Sequence, residues 1–138
     1  MNLDETDRKI IDSLKNNSRL SWKEIGGKVH MTGQAVAARI ERLIDSGVIR
    51  KFTIDADKEK MGITITGYIT VYMKTTRHDE LKAMIRSSDA VTKASRISGD
   101  GCYLLQFAVH SQEELGVLLD AILLFGTYRL CISVEDIV

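Results

Sequence analysis

The spacing of apolar residues changes part-way along the chain. Over about the first fifty positions apolar side chains recur every three or four residues, the period of helices buried along one side. Ile10, Ile11 and Leu14 form the first stripe, which ends near Lys15, with Asp4 as N-cap and Asp7 three positions on. Asn16-Asn17-Ser18 interrupts it, and Leu20 then precedes Ser21-Trp22-Lys23-Glu24. This is a capping box, in which the serine hydroxyl and the glutamate carboxylate each satisfy a free backbone N–H. The helix it opens runs through Ile25 and Val29, with Trp22 expected to pack against the first helix. Thr32 caps a third helix whose core face is read as Val36, Ile40, Leu43 and Ile44, ending near Ser46 before Gly47. Val48 to Ile54 alternates and predicts a short strand or wing.

From Met61 the period is that of strands. Ile63 to Met73 is β-branched and aromatic, with Gly67 as a bulge candidate. A helix is predicted from about His78 to Ser87, strands over Ala90 to Ser98 and Cys102 to Val109 around a Gly99-Asp100-Gly101 turn, a helix capped by Ser111 with Glu114, and a last strand from about Tyr128 to Ile137. The order βαββαβ is the split arrangement of ferredoxin-like domains. The fold class is therefore α+β: a winged helix-turn-helix over residues 1–54, a charged linker over 55–62 containing DADKEK, and a ferredoxin-like domain over 63–138.

Charge sharpens this division. Net charge is zero, yet between Arg19 and Lys51 seven basic residues face three acidic ones, whereas from Met61 onward seven basic residues face nine acidic ones. Cationic surface thus belongs to the helical half, where a phosphate backbone can meet it. The longest apolar runs fall short of the roughly 18 residues that cross a bilayer, and MNLDETDRKIIDS lacks the basic start and apolar run of a secretory signal. A cytoplasmic protein without membrane partner is expected. Cys102 and Cys131 form no CxxC pair and are read as reduced, mostly buried thiols. His30, His78 and His110 show no metal-ligand spacing, and no nucleophile elbow or phosphate loop is present, so neither metal, cofactor nor enzymatic activity is expected.

Two short helices joined by a tight turn, the second opening on small polar residues, have helix-turn-helix geometry. With its apolar side inward, the third helix turns Gln34, Ala35, Ala38, Arg39 and Arg42 outward. Small residues allow close approach to a duplex, Gln34 matches an adenine edge, and the arginines match phosphate or guanine. Ser21, Thr32, Arg50 and Lys51 complete the candidate DNA contacts. The competing reading of Arg39 is an ion pair with Asp7 or Glu24.

The residues also carry a resemblance. Leu3-Asp4, Asp7, Ile10-Ile11, Arg19-Leu20-Ser21, Val36, Arg39, Leu43, Gly47-Val48-Ile49 and Met61-Gly62 together resemble the N-terminal signature of the Lrp/AsnC family, and the βαββαβ half extends the match over essentially the whole chain. The resemblance implies a sequence-specific transcription regulator that binds double-stranded DNA as a homodimer, joined through its C-terminal domains and often assembled into tetramers or octamers. It also implies an amino acid or similar effector near the turn after the second strand of that domain. That turn is Gly99-Asp100-Gly101-Cys102-Tyr103, where Cys102 replaces the family's usual acid, so these residues stand as either an effector site or a subunit interface. Two other readings stay open: an effector-independent, DNA-architectural protein, and a metabolite-binding module that does not bind DNA.

Overall fold

The computed structural model describes residues 2–137, which form two compact units dividing between Asp55 and Ala56. Met1 and Val138, the outer limits of the expected domains, lie outside the described residues. In the first unit α1 (Glu5–Asn16), α2 (Trp22–Val29) and α3 (Gly33–Asp45) pack around Ile10, Leu14, Ile25, Val36 and Ile40, with Leu20, Val29, Met31 and Ile49 at the margin. Fully burying each large aliphatic side chain here contributes about 1.5–3 kcal/mol. All three expected caps form: Asp4 with Asp7 and Ser21 with Glu24 make capping boxes, and the Thr32 hydroxyl accepts the Ala35 N–H. Gly47 (φ +73°) follows α3 in the left-handed conformation.

Several local expectations are corrected. Ile44 is 44% exposed, because Val36, Ile40 and Leu43 already form the buried line and the next residue round the helix falls off its edge. Trp22 is 39% exposed rather than packed away. Val48 to Ile54 forms no strand, and Phe52 and Ile54 are exposed. A wing needs a neighbouring strand to receive its backbone hydrogen bonds, and the helical unit offers none. Within the charged segment after it, at the division between the two units, a turn closes. The Met61 and Ile63 N–H groups bond the Lys58 carbonyl, Gly62 bonds Glu59, and the Asp57 carboxylate accepts the Lys60 N–H, which together make a closed turn.

In the second unit β1 (Ile65–Met73), α4 (His78–Ser87), β2 (Val91–Arg96), β3 (Tyr103–Val109), α5 (Gln112–Leu123) and β4 (Gly126–Ile132) build one antiparallel sheet in the order β2-β3-β1-β4. Both helices cover the same sheet face. Leu81 and Ile85 of α4 and Leu115, Leu118 and Ile122 of α5 pack on Ile69, Val71, Tyr103, Leu105, Phe107 and Val109. Gly67 is not a bulge. It stays in register between Phe107 and Ile132, and the irregularity lies at Val91/Lys93 instead. A Cβ at Gly67 would fall 2.1 Å from the Cys131 carbonyl oxygen, so the glycine is there for close strand approach. β4 stops at Ile132, opposite Gly67 and well short of Ile137; the Ser133 N–H still bonds the Thr66 carbonyl, and past Ile65 β1 offers no further partner.

The tightness of the turn between α2 and α3 rests on Gly26, which is buried. A Cβ there would lie 2.4 Å from the Met31 carbonyl oxygen, whereas one at Gly27 would meet nothing within 4 Å. Gly26→Ala is therefore expected to destabilise the first unit by roughly 2 kcal/mol or more. Gly27→Ala, in an open helix interior, is expected to stabilise it by about 0.5–1 kcal/mol. Urea melts followed by helical circular dichroism measure both, with opposite signs expected.

Candidate nucleic-acid interface

The free side of α3 begins with small, uncharged residues. Gln34 and Ala38 are exposed and Ala35 is half-buried, with exposed Thr32 at the tip; Glu41 and Asp45 follow on the outer side of later turns. The charge order restricts docking. Carboxylates on the later turns repel phosphate, so close approach to a duplex is favoured over the first two turns, and beyond them only the cationic Arg42 suits a phosphate. Exposed Ser21, Arg50 and Lys51 belong to the same unit.

Thr32 and Ser21 have dual capacity. Each hydroxyl accepts a backbone N–H, from Ala35 at 3.2 Å and from Glu24 at 3.1 Å. Accepting uses a lone pair of the oxygen, so the Thr32 O–H remains able to donate to an anion, whereas the Ser21 side chain also bonds the Glu24 carboxylate.

The two arginines are placed differently from the rest. Asp7 is fully buried on α1, and its carboxylate accepts from Arg39 Nη1 at 2.9 Å, from Arg42 Nη2 at 3.1 and 3.0 Å, and from the Asp4 N–H at 3.3 Å. Arg39 Nη1 also donates to Asp4 at 2.6 Å. Of the two partners weighed for Arg39, Asp7 is the one it meets, and Asp4 is the partner that sequence reasoning missed. The 1,4 spacing of the capping box places both acids at the start of α1. The sequence gives no sign that α3 crosses there. The ion pairs hold the Asp4 carboxyl below its usual range, chiefly through the Arg39 hydrogen bond and next through the Asp7 N–H, and they raise Arg39, chiefly through Asp4.

The Gly99–Tyr103 turn does not gather its residues into one pocket. Gly99 (φ +103°) and Gly101 (φ +95°) turn the chain in left-handed conformations. The Asp100 carboxylate accepts from Arg129 at 2.9 Å and from the Tyr72 hydroxyl at 3.1 Å. Burial first, and then this bond to Asp100, raises the Tyr72 phenol above its usual value. Tyr103 lies instead in the core beneath the helices, its hydroxyl 2.8 Å from His78 Nδ1. Cys102 is half-buried and Cys131 exposed, both free, which corrects the expectation of buried thiols. Cys131 pairs with Tyr68, itself 47% exposed, on the sheet face that neither helix covers. Tyr72 and Arg129 went unnoticed in the sequence because only the β1–β4 register brings them to Asp100.

A three-helix unit with helix-turn-helix geometry, joined to a four-stranded α+β unit, defines a two-unit helix-turn-helix protein. The AsnC-type helix-turn-helix domain matches residues 3–44, and the Lrp/AsnC ligand binding domain matches residues 66–134. The chain is 42% identical over 137 residues to the HTH-type transcriptional regulator LrpB of Bacillus subtilis, covering 99% of this chain and 92% of that one. With LrpA of the same organism it shares 37% over 133 residues, covering 96% and 98%. The solved structure of B. subtilis LrpC superposes with a TM-score of 0.91 at 26% identity, covering 100% of this chain and 99% of that one. The chain belongs to the Lrp/AsnC family of transcriptional regulators, a family of DNA-binding proteins and not of enzymes. Among the described residues no helix is long and apolar enough to cross a membrane.

The capping acids set an acid limit. Asp4 and Glu24 both have lowered folded-state pKa values, Glu24 chiefly through the Ser21 N–H. The unfolded chain thus binds these protons more readily. Their contribution is complete at neutral pH and drains away as pH falls below about 4.5, through the ordinary carboxylate range and on to the lower folded values. Thermal melts from pH 7 to pH 3 are expected to show this loss, and Asp4→Asn to show a shallower decline because one of the titrating carboxylates is gone.

Proposed function

We propose that the chain reads double-stranded DNA with the first two turns of α3 and acts as a homodimer through the uncovered face of its sheet. The observation that carries the first part is the exposed Thr32-Gln34-Ala38 surface, small enough for close approach and able to hydrogen-bond a base edge. Gln34 takes an adenine, Ala35 and Ala38 admit the groove edge, and Ser21, Thr32, Arg42, Arg50 and Lys51 take phosphates. The second part is supported by Tyr68 and Leu104, 47% and 38% exposed on a sheet face whose own helices lie on the other side. Joining two reading heads makes the second contact intramolecular, so a modest interface per head suffices. Assembly beyond the dimer extends the same logic.

Selection of bound sequences from random duplexes by the purified protein tests the reading. Paired boxes about one helical turn apart, or a multiple of it, are expected. Gln34→Ala should cost about 1–3 kcal/mol and relax preference at one position. Absence of duplex binding at low salt overturns the proposal in favour of a metabolite-binding module, and extended periodic protection without boxes favours an architectural role. For the sheet face, Leu104→Glu is expected to give monomers in light scattering with the fold retained. An unchanged assembly mass would place the interface elsewhere.

The C-terminal unit belongs to a ligand-binding domain family, and we assign it a small-molecule effector. A thermal-shift panel of the common amino acids is the check. A ligand at a hundred times its dissociation constant adds about 2.7 kcal/mol of stability, and no shift across the panel would point to regulation without an amino-acid effector.

A further inference from the structure

Four charged side chains join α1 to α3: Asp4, Asp7, Arg39 and Arg42. They are not equivalent. The Asp7 side chain is 1% exposed and Arg39 is 25% exposed, its Nη1 shared between both acids, whereas Arg42 is 54% exposed and engages Asp7 through Nη2 alone. The Nε and Nη1 donors of Arg42 have no partner among the described residues. A guanidinium has five N–H donors in a rigid plane, so holding one nitrogen orients the others.

From this geometry we infer that Asp7 is a positioning residue for DNA binding: it fixes the α3 reading helix through Arg39 and presents the free edge of Arg42 to a DNA phosphate. The inference rests on the DNA-binding reading above and deepens it. Arg39, held like Arg42 through one nitrogen but only 25% exposed and shared between both acids, is the inner latch. Arg42 is the outward half of the same device, fixed at one nitrogen and open at the others. A free arginine forfeits rotamer freedom when it binds a phosphate, worth up to about 30-fold in affinity. Arg42 has forfeited much of that in the folded protein already. Electrostatics alone predicts the opposite role for Asp7, because a carboxylate beside a phosphate contact should weaken DNA binding. The two accounts therefore differ in sign.

The test uses the full-length protein and the duplex it selects from a random pool, with a scrambled duplex as reference. Affinities are taken across a salt series, well below each variant's melting temperature. Arg42→Ala is expected to reduce the slope of log affinity against log salt by about 0.9, the value of one phosphate contact, and to lower the melting temperature less than Arg39→Ala does, since Asp7 keeps its bonds from Arg39 and the Asp4 N–H. Arg42→Lys should restore the slope but not the full affinity, since an ammonium cannot hold Asp7 and a phosphate in one plane. Arg39→Ala should lower the melting temperature and leave the slope near that of the unsubstituted protein. Asp7→Asn, although it removes a negative charge, should lower the selected-to-scrambled affinity ratio about tenfold, and in its background Arg42→Ala should cost less than about threefold more.

An unchanged slope for Arg42→Ala, or an Asp7→Asn protein that binds more tightly with its selectivity intact, overturns the inference while leaving the DNA-binding reading in place. Failure of the unsubstituted protein to bind any duplex at low salt overturns both. Should Asp7→Asn fail to fold, the contrast in slope between Arg42→Ala and Arg39→Ala decides the matter alone.

Discussion

A carboxylate removed from water must be repaid in full by its neighbours, and Asp7 shows what that demand does to a small helical unit. Its side chain is 1% exposed, and it accepts hydrogen bonds from two guanidinium groups and one backbone N–H. An ionised group buried without such partners would cost several kcal/mol. The contacts between Val36, Ile40 and Leu43 and their surroundings are non-directional, and aliphatic packing tolerates small slides and rotations. Ion pairs with fixed hydrogen-bond angles do not. Apolar burial thus supplies most of the stability of the three helices, and the Asp7 cluster supplies the angle at which α3 is held.

The second unit works under a different constraint. A four-stranded sheet has two faces, and α4 and α5 both lie on one of them. The alternation of β1 makes this unavoidable: Ile69 and Val71 point to the helices, so Tyr68, Thr70 and Tyr72 point the other way. Each unit therefore leaves one surface unfilled, a small polar one on α3 and a broader, partly apolar one on the sheet. Protein surfaces carry scattered apolar groups as a matter of course. A tyrosine and a leucine standing out from neighbouring strands are what the proposed homodimer would bury, since a pleated face can meet a second copy of itself under two-fold symmetry.

Legibility from sequence followed the range of each interaction. Caps, stripes and turns are decided within four residues, and Asp4, Ser21, Thr32, Gly47 and Ser111 were readable for that reason. The βαββαβ order was readable from periodicity. Misreadings arose where a distant neighbour decides. Val48 to Ile54 alternates like a strand but has no strand beside it, Gly67 is small because the Cys131 carbonyl crowds it, and Cys131 is exposed because its face has no helix. At the candidate site, Gln34 and Ala38 could be placed outward from helical period alone. That Arg39 turns inward to two acids more than thirty residues away could be stated only as one of two alternatives.

The turn from Gly99 to Tyr103 shows why composition at a site is a poor guide to its chemistry. Cys102 carries no charge, which leaves Asp100 as the one carboxylate of the turn. Yet Asp100 is already answered by Arg129 at 2.9 Å and Tyr72 at 3.1 Å. Both bonds fall on Oδ2, so an ammonium group arriving there could approach Oδ1, with the Arg129 guanidinium beside it opposing the added positive charge. A carboxylate arriving there would meet the opposite situation, since Arg129 is 60% exposed and has donors beyond the nitrogen it gives to Asp100. The turn thus presents an exposed ion pair, Asp100 at 66% and Arg129 at 60%, and Arg129 is a residue of β4 that no reading of the turn itself would include. The polar surroundings of the turn are decided by strand register as much as by the residues of the loop.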